Sequence, residues 1–301
     1  MPQKDEEYHE IVDPGADFAA KQALLPDFDH YAIPAVTKQP NPAWQYGDGV
    51  GNYTITTTGT DAAAEHREVD PYATDRPMIN NYKLLIASIA PRPIGLLSTV
   101  SADGKTKNLA PFSYFQIIDH DPPTFVVGFS SQRGRTKDTY RNLLETGEGV
   151  INTVSESMIE AVNATSLDAP HGVSEWDISG LHEAPTRTVR PSRVRESILS
   201  IESKVLDSKE LSSAGHQKPG MSAAGIVLLK ATRFWVREDA TNDDASDVAL
   251  DKLQPIAQLG GLSYGRISST FELPRKRWAA EMTKSSLLAD LDTQKTSEKY
   301  N

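Results

Sequence analysis

The stretch Ser130-Ser-Gln-Arg-Gly-Arg-Thr-Lys-Asp-Thr139 packs Arg133, Arg135 and Lys137 against the hydroxyls of Ser130, Thr136 and Thr139. A helix is expected directly after it, because Tyr140, Leu143 and Leu144 recur at i, i+3 and i+4 and Gly147 supplies a stop. Cations in the first turn oppose the helix dipole, so this placement costs stability unless an anion sits between them. Backbone N–H groups, hydroxyls and positive charge are what a phosphate monoester requires. A solvated basic loop is the other reading of the same residues.

Asn108-Leu-Ala-Pro-Phe-Ser-Tyr-Phe115 is the second stretch with unusual chemistry. Pro111 cannot donate to a strand ladder, so the chain is expected to bulge or open there and free backbone groups for a ligand edge. Phe112, Tyr114 and Phe115 add apolar faces, and Asn108 and Ser113 add polar handles. That mixture suits a flat heteroaromatic ring with imide edges. A barrel strand with core aromatics and one edge proline accounts for the same pattern.

The elements that must position these residues are mostly strands. Runs are expected at Ile94–Val100, Asn108–Ile118, Thr124–Phe129, Val150–Val154, Ile198–Leu206, Gly225–Val236 and Gly265–Leu273, with Asp103-Gly104 as a hairpin turn. Three helices are expected, over Lys137–Glu145, Met158–Thr165 and Asp247–Leu253. Many strands, hairpin links and few helices imply a closed or nearly closed antiparallel barrel.

Three motifs fail on context. Gly47-Asp-Gly-Val-Gly51 lacks the third glycine and the flanking strand and helix of a dinucleotide loop. Gly261-Leu-Ser-Tyr-Gly265 matches a nucleophile elbow, but the last histidine, His216, lies upstream of Ser263, against the order that motif needs. The seven histidines show no metal-binding spacing, so no metal site is expected.

The 301-residue chain has 31 basic and 41 acidic side chains and no cysteine, which removes disulfides, thiolate nucleophiles and zinc-thiolate sites. Residues 1–75 hold 14 acidic and 4 basic groups, so residues 76–301 carry 27 of each sign. A neutral body without a basic tract argues against nucleic acid as a partner. Without a run of roughly 20 apolar residues or a signal-peptide start, a cytoplasmic protein that does not enter the membrane is expected. Residues 1–75 read as an acidic, proline-rich extension, either an arm over the body or a neighbouring subunit or an unstructured tail. Residues 76–280 read as the main domain and 281–301 as a charged tail.

Ala90-Pro-Arg-Pro-Ile-Gly-Leu-Leu-Ser-Thr99, Asp103-Gly104, Asn108-Leu-Ala-Pro-Phe-Ser-Tyr-Phe115, Asp121-Pro-Pro123 and Lys137-Asp-Thr139 together resemble the flavin reductase-like, FMN-binding split-barrel flavoproteins, nearest the flavoredoxin type. Asn142, Asn152 and Ser174-Glu-Trp176 continue the likeness, which spans roughly 78–275. The resemblance implies a mainly β fold: a six-stranded antiparallel, Greek-key split barrel with flanking helices, usually a homodimer with FMN near the interface. It implies Ser98 and Thr99 beside the ribityl-phosphate, and Asn108, Leu109, Ala110, Pro111, Phe112 and Ser113 along the isoalloxazine edge. Ser130, Arg135, Lys137, Asp138 and Thr139 fall at the phosphate end, and Tyr264 approaches the flavin. His171 is the candidate for the open ring face, with a surface-loop histidine as the simpler reading of the same residue. The implied activity is hydride transfer from NADH or NADPH through the flavin to free flavin for a partner monooxygenase or to a small organic substrate. An FMN electron carrier reduced by a protein partner is the alternative.

Overall fold

In the computed structural model of the chain, Gly95-Leu-Leu-Ser-Thr-Val100 is buried at every position, as a short apolar strand with cover on both faces requires. The structure describes residues 15–49, 65–130, 136–170, 172–211 and 224–298. The chain divides into two compact units, Met1–His30 with Thr74–Ile267 and Tyr31–Ala73 with Ser268–Asn301.

The helices in chain order are α1 (Phe18–Gln22), α2 (Met78–Ser88), α3 (Asp138–Thr146), α4 (Ile159–Ala164), α5 (Glu175–Ser179), α6 (Leu250–Leu253), α7 (Trp278–Glu281) and α8 (Ser286–Glu298). The strands are β1 (Ala35–Thr37), β2 (Arg92–Pro93), β3 (Gly95–Val100), β4 (Lys107–Phe112), β5 (Phe115–His120), β6 (Pro123–Phe129) and β7 (Glu148–Thr153). There follow β8 (Glu183–Ala184), β9 (Arg193–Val194), β10 (Leu199–Leu211), β11 (Ala224–Val236), β12 (Ile256–Gln258), β13 (Tyr264–Arg266) and β14 (Ser269–Phe271).

Seven antiparallel strands form the main sheet in the order β4-β3-β7-β10-β11-β6-β5. Its two edge strands are consecutive in the chain and joined only by Ser113 and Tyr114. Flat, the sheet would hold those edges about 29 Å apart, six spacings of roughly 4.8 Å. The link from Phe112 to Phe115 reaches at most about 11 Å. The sheet must therefore curl into a barrel that is open along one seam. Its interior is a single cluster that includes Leu97, Phe112, Phe125, Val127, Phe129, Ile151, Ile201, Val227 and Leu229, joined by Tyr140 and Leu143 of α3. A second cluster joins Ile94, Leu96 and Leu109 to Val162 of α4 and Trp176 of α5 on the outer face. This is the split barrel expected, with seven strands rather than six.

The extra strand arises where Asn108–Ile118 was expected to be one run. The chain instead turns at Ser113–Tyr114, because its two halves meet glycines. A Cβ at Gly95 would lie 3.0 Å from the Phe115 ring, and one at Gly128 would lie 3.2 Å from Tyr114 Cβ. Those two glycines make room for side chains that a continuous β4–β5 strand would not place there. Gly265–Leu273 is likewise two short strands in different sheets, β13 with β12 and β14 with β1. The helix α2 lay outside the expected three. Its only buried residue is Ile86, while Met78, Leu84 and Leu85 are exposed. The stop at Gly147 is as expected, with φ at +71°. In the second unit β1 runs parallel to β14, and the Tyr46 hydroxyl donates to Glu281 at 3.2 Å. Among the described residues no helix is long and apolar enough to cross a membrane.

Candidate functional site

Thr99 and Asn108 face each other across β3 and β4. Both are at least nine-tenths buried, as are Thr139 and Asn142 on α3. Asn108 Nδ2 donates to Thr139 Oγ1 at 2.8 Å, and Asn142 Nδ2 donates to Thr99 Oγ1 at 3.1 Å. Two amide–hydroxyl bonds thus tie the start of the helix to the hairpin, across 31 and 43 residues of sequence. Buried amides and hydroxyls persist only when paired, so these contacts fix where α3 begins. Asn142 Oδ1 is buried and has no hydrogen-bond partner among the described residues.

Lys137 is the N-cap of α3, whose first turn has no side-chain cap. Lys137 is half-buried, and Asp138 accepts from Arg141 Nη2 at 2.8 Å. The nine-residue helix therefore presents its dipole and one cation at the same end. Ser130 is exposed at the end of β6. Arg135 and His171 lie outside the described residues.

Along β4, alternate positions have opposite fates. Phe112 points into the barrel and packs edge-on against Phe129, ring centres 5.0 Å apart. Leu109 belongs to the outer cluster, and its amide N–H donates to Glu175 Oε2 of α5 at 3.0 Å. Pro111 has the same parity as Leu109, so its nitrogen is on the side away from β3. The ladder with β3 therefore runs through Leu96↔Pro111 without a bulge. This corrects the expectation that Pro111 breaks the strand: β4 is an edge strand, where a missing N–H costs nothing. Ala110, Pro111 and Ser113 remain half-exposed, and Tyr114 is exposed at the bend.

Ser98 is buried, its hydroxyl donating to the Ser192 carbonyl at 2.5 Å. Thr99 lines a cavity of about 200 Å³ with Val100, Gly104, Lys107, Trp176, Arg190, Pro191 and Ser192. Both cations there are already paired, Lys107 with Glu183 at 2.7 Å and Arg190 with Glu148 at 3.2 Å. Burial acts to raise the Glu183 carboxyl, but hydrogen bonds from Lys107 and Ser192 outweigh it and hold the group below its ordinary value. Tyr264 lies on β13, with its hydroxyl donating to Asn163 Oδ1 at 3.1 Å. Burial pushes its phenol up.

Two features were missed in the sequence. Arg92 is buried beside Ser113, and only the motif string around it hinted at a role. Glu202 of β10 is fully buried, accepting from the Arg187 amide at 2.9 Å, the Thr188 amide at 2.6 Å, the Thr188 hydroxyl, and Trp235 Nε1 at 2.6 Å. Burial opposes its charge, yet these donors hold its carboxyl below the ordinary glutamate value. No local pattern announces it, because its partners lie 14 to 33 residues away.

The flavin reductase-like domain matches residues 87–251 of this chain. An uncharacterized protein of Halalkalibacterium halodurans is 35% identical over 198 residues, covering 65% of this chain and 90% of that protein. Component B of the nitrilotriacetate monooxygenase of Bacillus cereus is similar in structure, with TM-score 0.64 and 28% identity over 70% of this chain and 100% of that one. The 2-nitrobenzoate 2-nitroreductase of Pseudomonas fluorescens is similar at TM-score 0.60 and 25% identity, covering 70% and 96% of the two chains.

Proposed function

Because the chain belongs to the flavin reductase-like family, we propose that it is an FMN-dependent oxidoreductase that takes hydride from NADH or NADPH and passes it on to an acceptor. The flavin, when bound, supplies the hydride-accepting ring, and this chain's residues supply anchorage and surroundings. What supports the reading most is the Asn108–Thr139 hydrogen bond. It holds the two stretches with ligand chemistry, 108–113 and 137–139, against each other.

The donor set fits a flavin mononucleotide. Lys137 and Thr139 at the start of α3, with the exposed hydroxyl of Ser130 after β6, suit a phosphate dianion. Ala110, Pro111 and Ser113 offer a half-exposed strand edge for the ring, and Asp138 is kept in place by Arg141. Thr99, Asn108 and Asn142 act behind these groups by fixing the helix start.

The acceptor is either free flavin destined for a separate monooxygenase or a small organic substrate. The likeness to a monooxygenase component B supports the first and the likeness to a nitroreductase supports the second. A working unit of two copies accords with the family resemblance. Titration of the apoprotein with FMN, followed by quenching of flavin fluorescence, tests the anchorage. Lys137→Ala is expected to weaken binding by at least ~1.5 kcal/mol, about tenfold, through loss of a charge-assisted contact. Equal affinity in the variant would remove the phosphate assignment.

A further inference from the structure

Arg92 sits in the two-residue strand β2 with only 7% of its surface exposed. Its Nη1 donates to the carbonyls of Ile86 at 2.5 Å and Ile89 at 2.6 Å, and its Nε donates to Ser113 Oγ at 3.3 Å. No carboxylate pairs with it among the described residues, and Nη2 has no hydrogen-bond partner there. A guanidinium this deeply buried normally has an acidic partner. Two carbonyls and a hydroxyl accept from three of its five N–H groups, and none of them carries a charge to compensate that of Arg92.

That charge is aimed at one place. Ser113 is the first residue of the β4–β5 bend and borders the strand edge assigned above to the flavin ring. Tyr114, next to it, feels the same cation: burial raises its phenol and the Arg92 charge pulls it back. Had Arg92 served only to latch the end of α2, the two carbonyls would have sufficed, and Nε would not need a hydroxyl from the far strand.

We propose that Arg92 is a positioning residue that fixes the Ser113 hydroxyl and holds an uncompensated positive charge behind it, favouring reduced, negatively charged flavin over the oxidised, neutral form. The inference rests on the flavin reading above. A fixed cation in a low-dielectric setting stabilises a nearby negative charge more strongly than water does. The buried, unpaired state of Arg92 is then a cost in stability retained for its effect on the ligand.

The test is a redox titration of FMN bound to the full-length wild type, Arg92→Gln and Arg92→Lys, with thermal unfolding measured alongside. Arg92→Gln should lower the two-electron reduction equilibrium constant at least ~tenfold, about 30 mV. Arg92→Lys, which keeps the charge and loses the fork, should recover most of that shift. A lower melting temperature with an unchanged potential in Arg92→Gln would reduce Arg92 to a structural tie and overturn the inference alone. A wild type that takes up no FMN would overturn the flavin reading and this inference with it. Should Arg92→Gln not fold, Ser113→Ala decides, since it removes the relaying hydroxyl and leaves the carbonyl latch. A threefold or greater fall in the equilibrium constant supports the inference, and no change overturns it.

Discussion

Replacing Glu202 by glutamine keeps the shape of the side chain and removes its charge. The wild-type carboxylate accepts four hydrogen bonds, from two backbone amides, one hydroxyl and the Trp235 indole. An amide has one acceptor oxygen, and its NH2 would face donors, so two of the four bonds are lost. Hydrogen bonds to a charged group contribute about 1.5–3 kcal/mol each, which places the cost at ~3 kcal/mol or more. For a domain of 150–250 residues that corresponds to a fall of roughly 6–12 °C in melting temperature, at about 2–4 °C per kcal/mol. The pH dependence follows from the same geometry. A carboxyl held below its ordinary value in the folded state contributes stability above the ordinary carboxylate range and loses it as pH falls through the folded value. The gap between wild type and Glu202→Gln should therefore be full at pH 7 and narrow below about pH 4. Calorimetry of both proteins across that range measures it. Equal melting temperatures at pH 7, or a gap of constant size down to pH 3, would refute the reasoning.

Thr139→Val should cost about 1–3 kcal/mol by stranding the buried Asn108 amide, and the Thr139→Val, Asn108→Leu double variant should cost less than the sum of the singles in a denaturant double-mutant cycle. Gly225→Ala sets a Cβ 2.7 Å from Tyr140 Cζ, whose ring is core, so about 1–3 kcal/mol should be lost and Tyr140→Leu should restore much of it in the same assay. Lys137→Ala should also flatten the salt dependence of FMN binding, because an ion pair screened by salt is gone, as isothermal titration at two ionic strengths would show.

Local chemistry made the helix α3 and its glycine stop readable, because apolar spacing and a positive-φ residue are properties of a few adjacent positions. The same holds for β3, β6, β7, β10 and β11. Pro111 was harder. Its meaning depends on whether β4 is central or at an edge, and strand order is set by pairings over the whole chain. The turn at Ser113–Tyr114 depends on glycines at 95 and 128, which only the folded barrel brings opposite Tyr114 and Phe115. Of the site, Lys137 and Thr139 follow from charge and hydroxyls at a helix start. Glu202 does not, since its partners lie 14 to 33 residues away, and Arg92 does not, since its tie to Ser113 spans 21 residues.

An absorbance spectrum of the purified protein, taken anaerobically before and after addition of NADH or NADPH, bears most directly on the proposed activity. A bound-flavin spectrum that bleaches with one of the nucleotides is expected. Tightly held FMN that neither nucleotide bleaches would point to a carrier reduced by a protein partner. A colourless protein that neither takes up added FMN nor speeds its reduction would contradict the flavin reductase reading altogether.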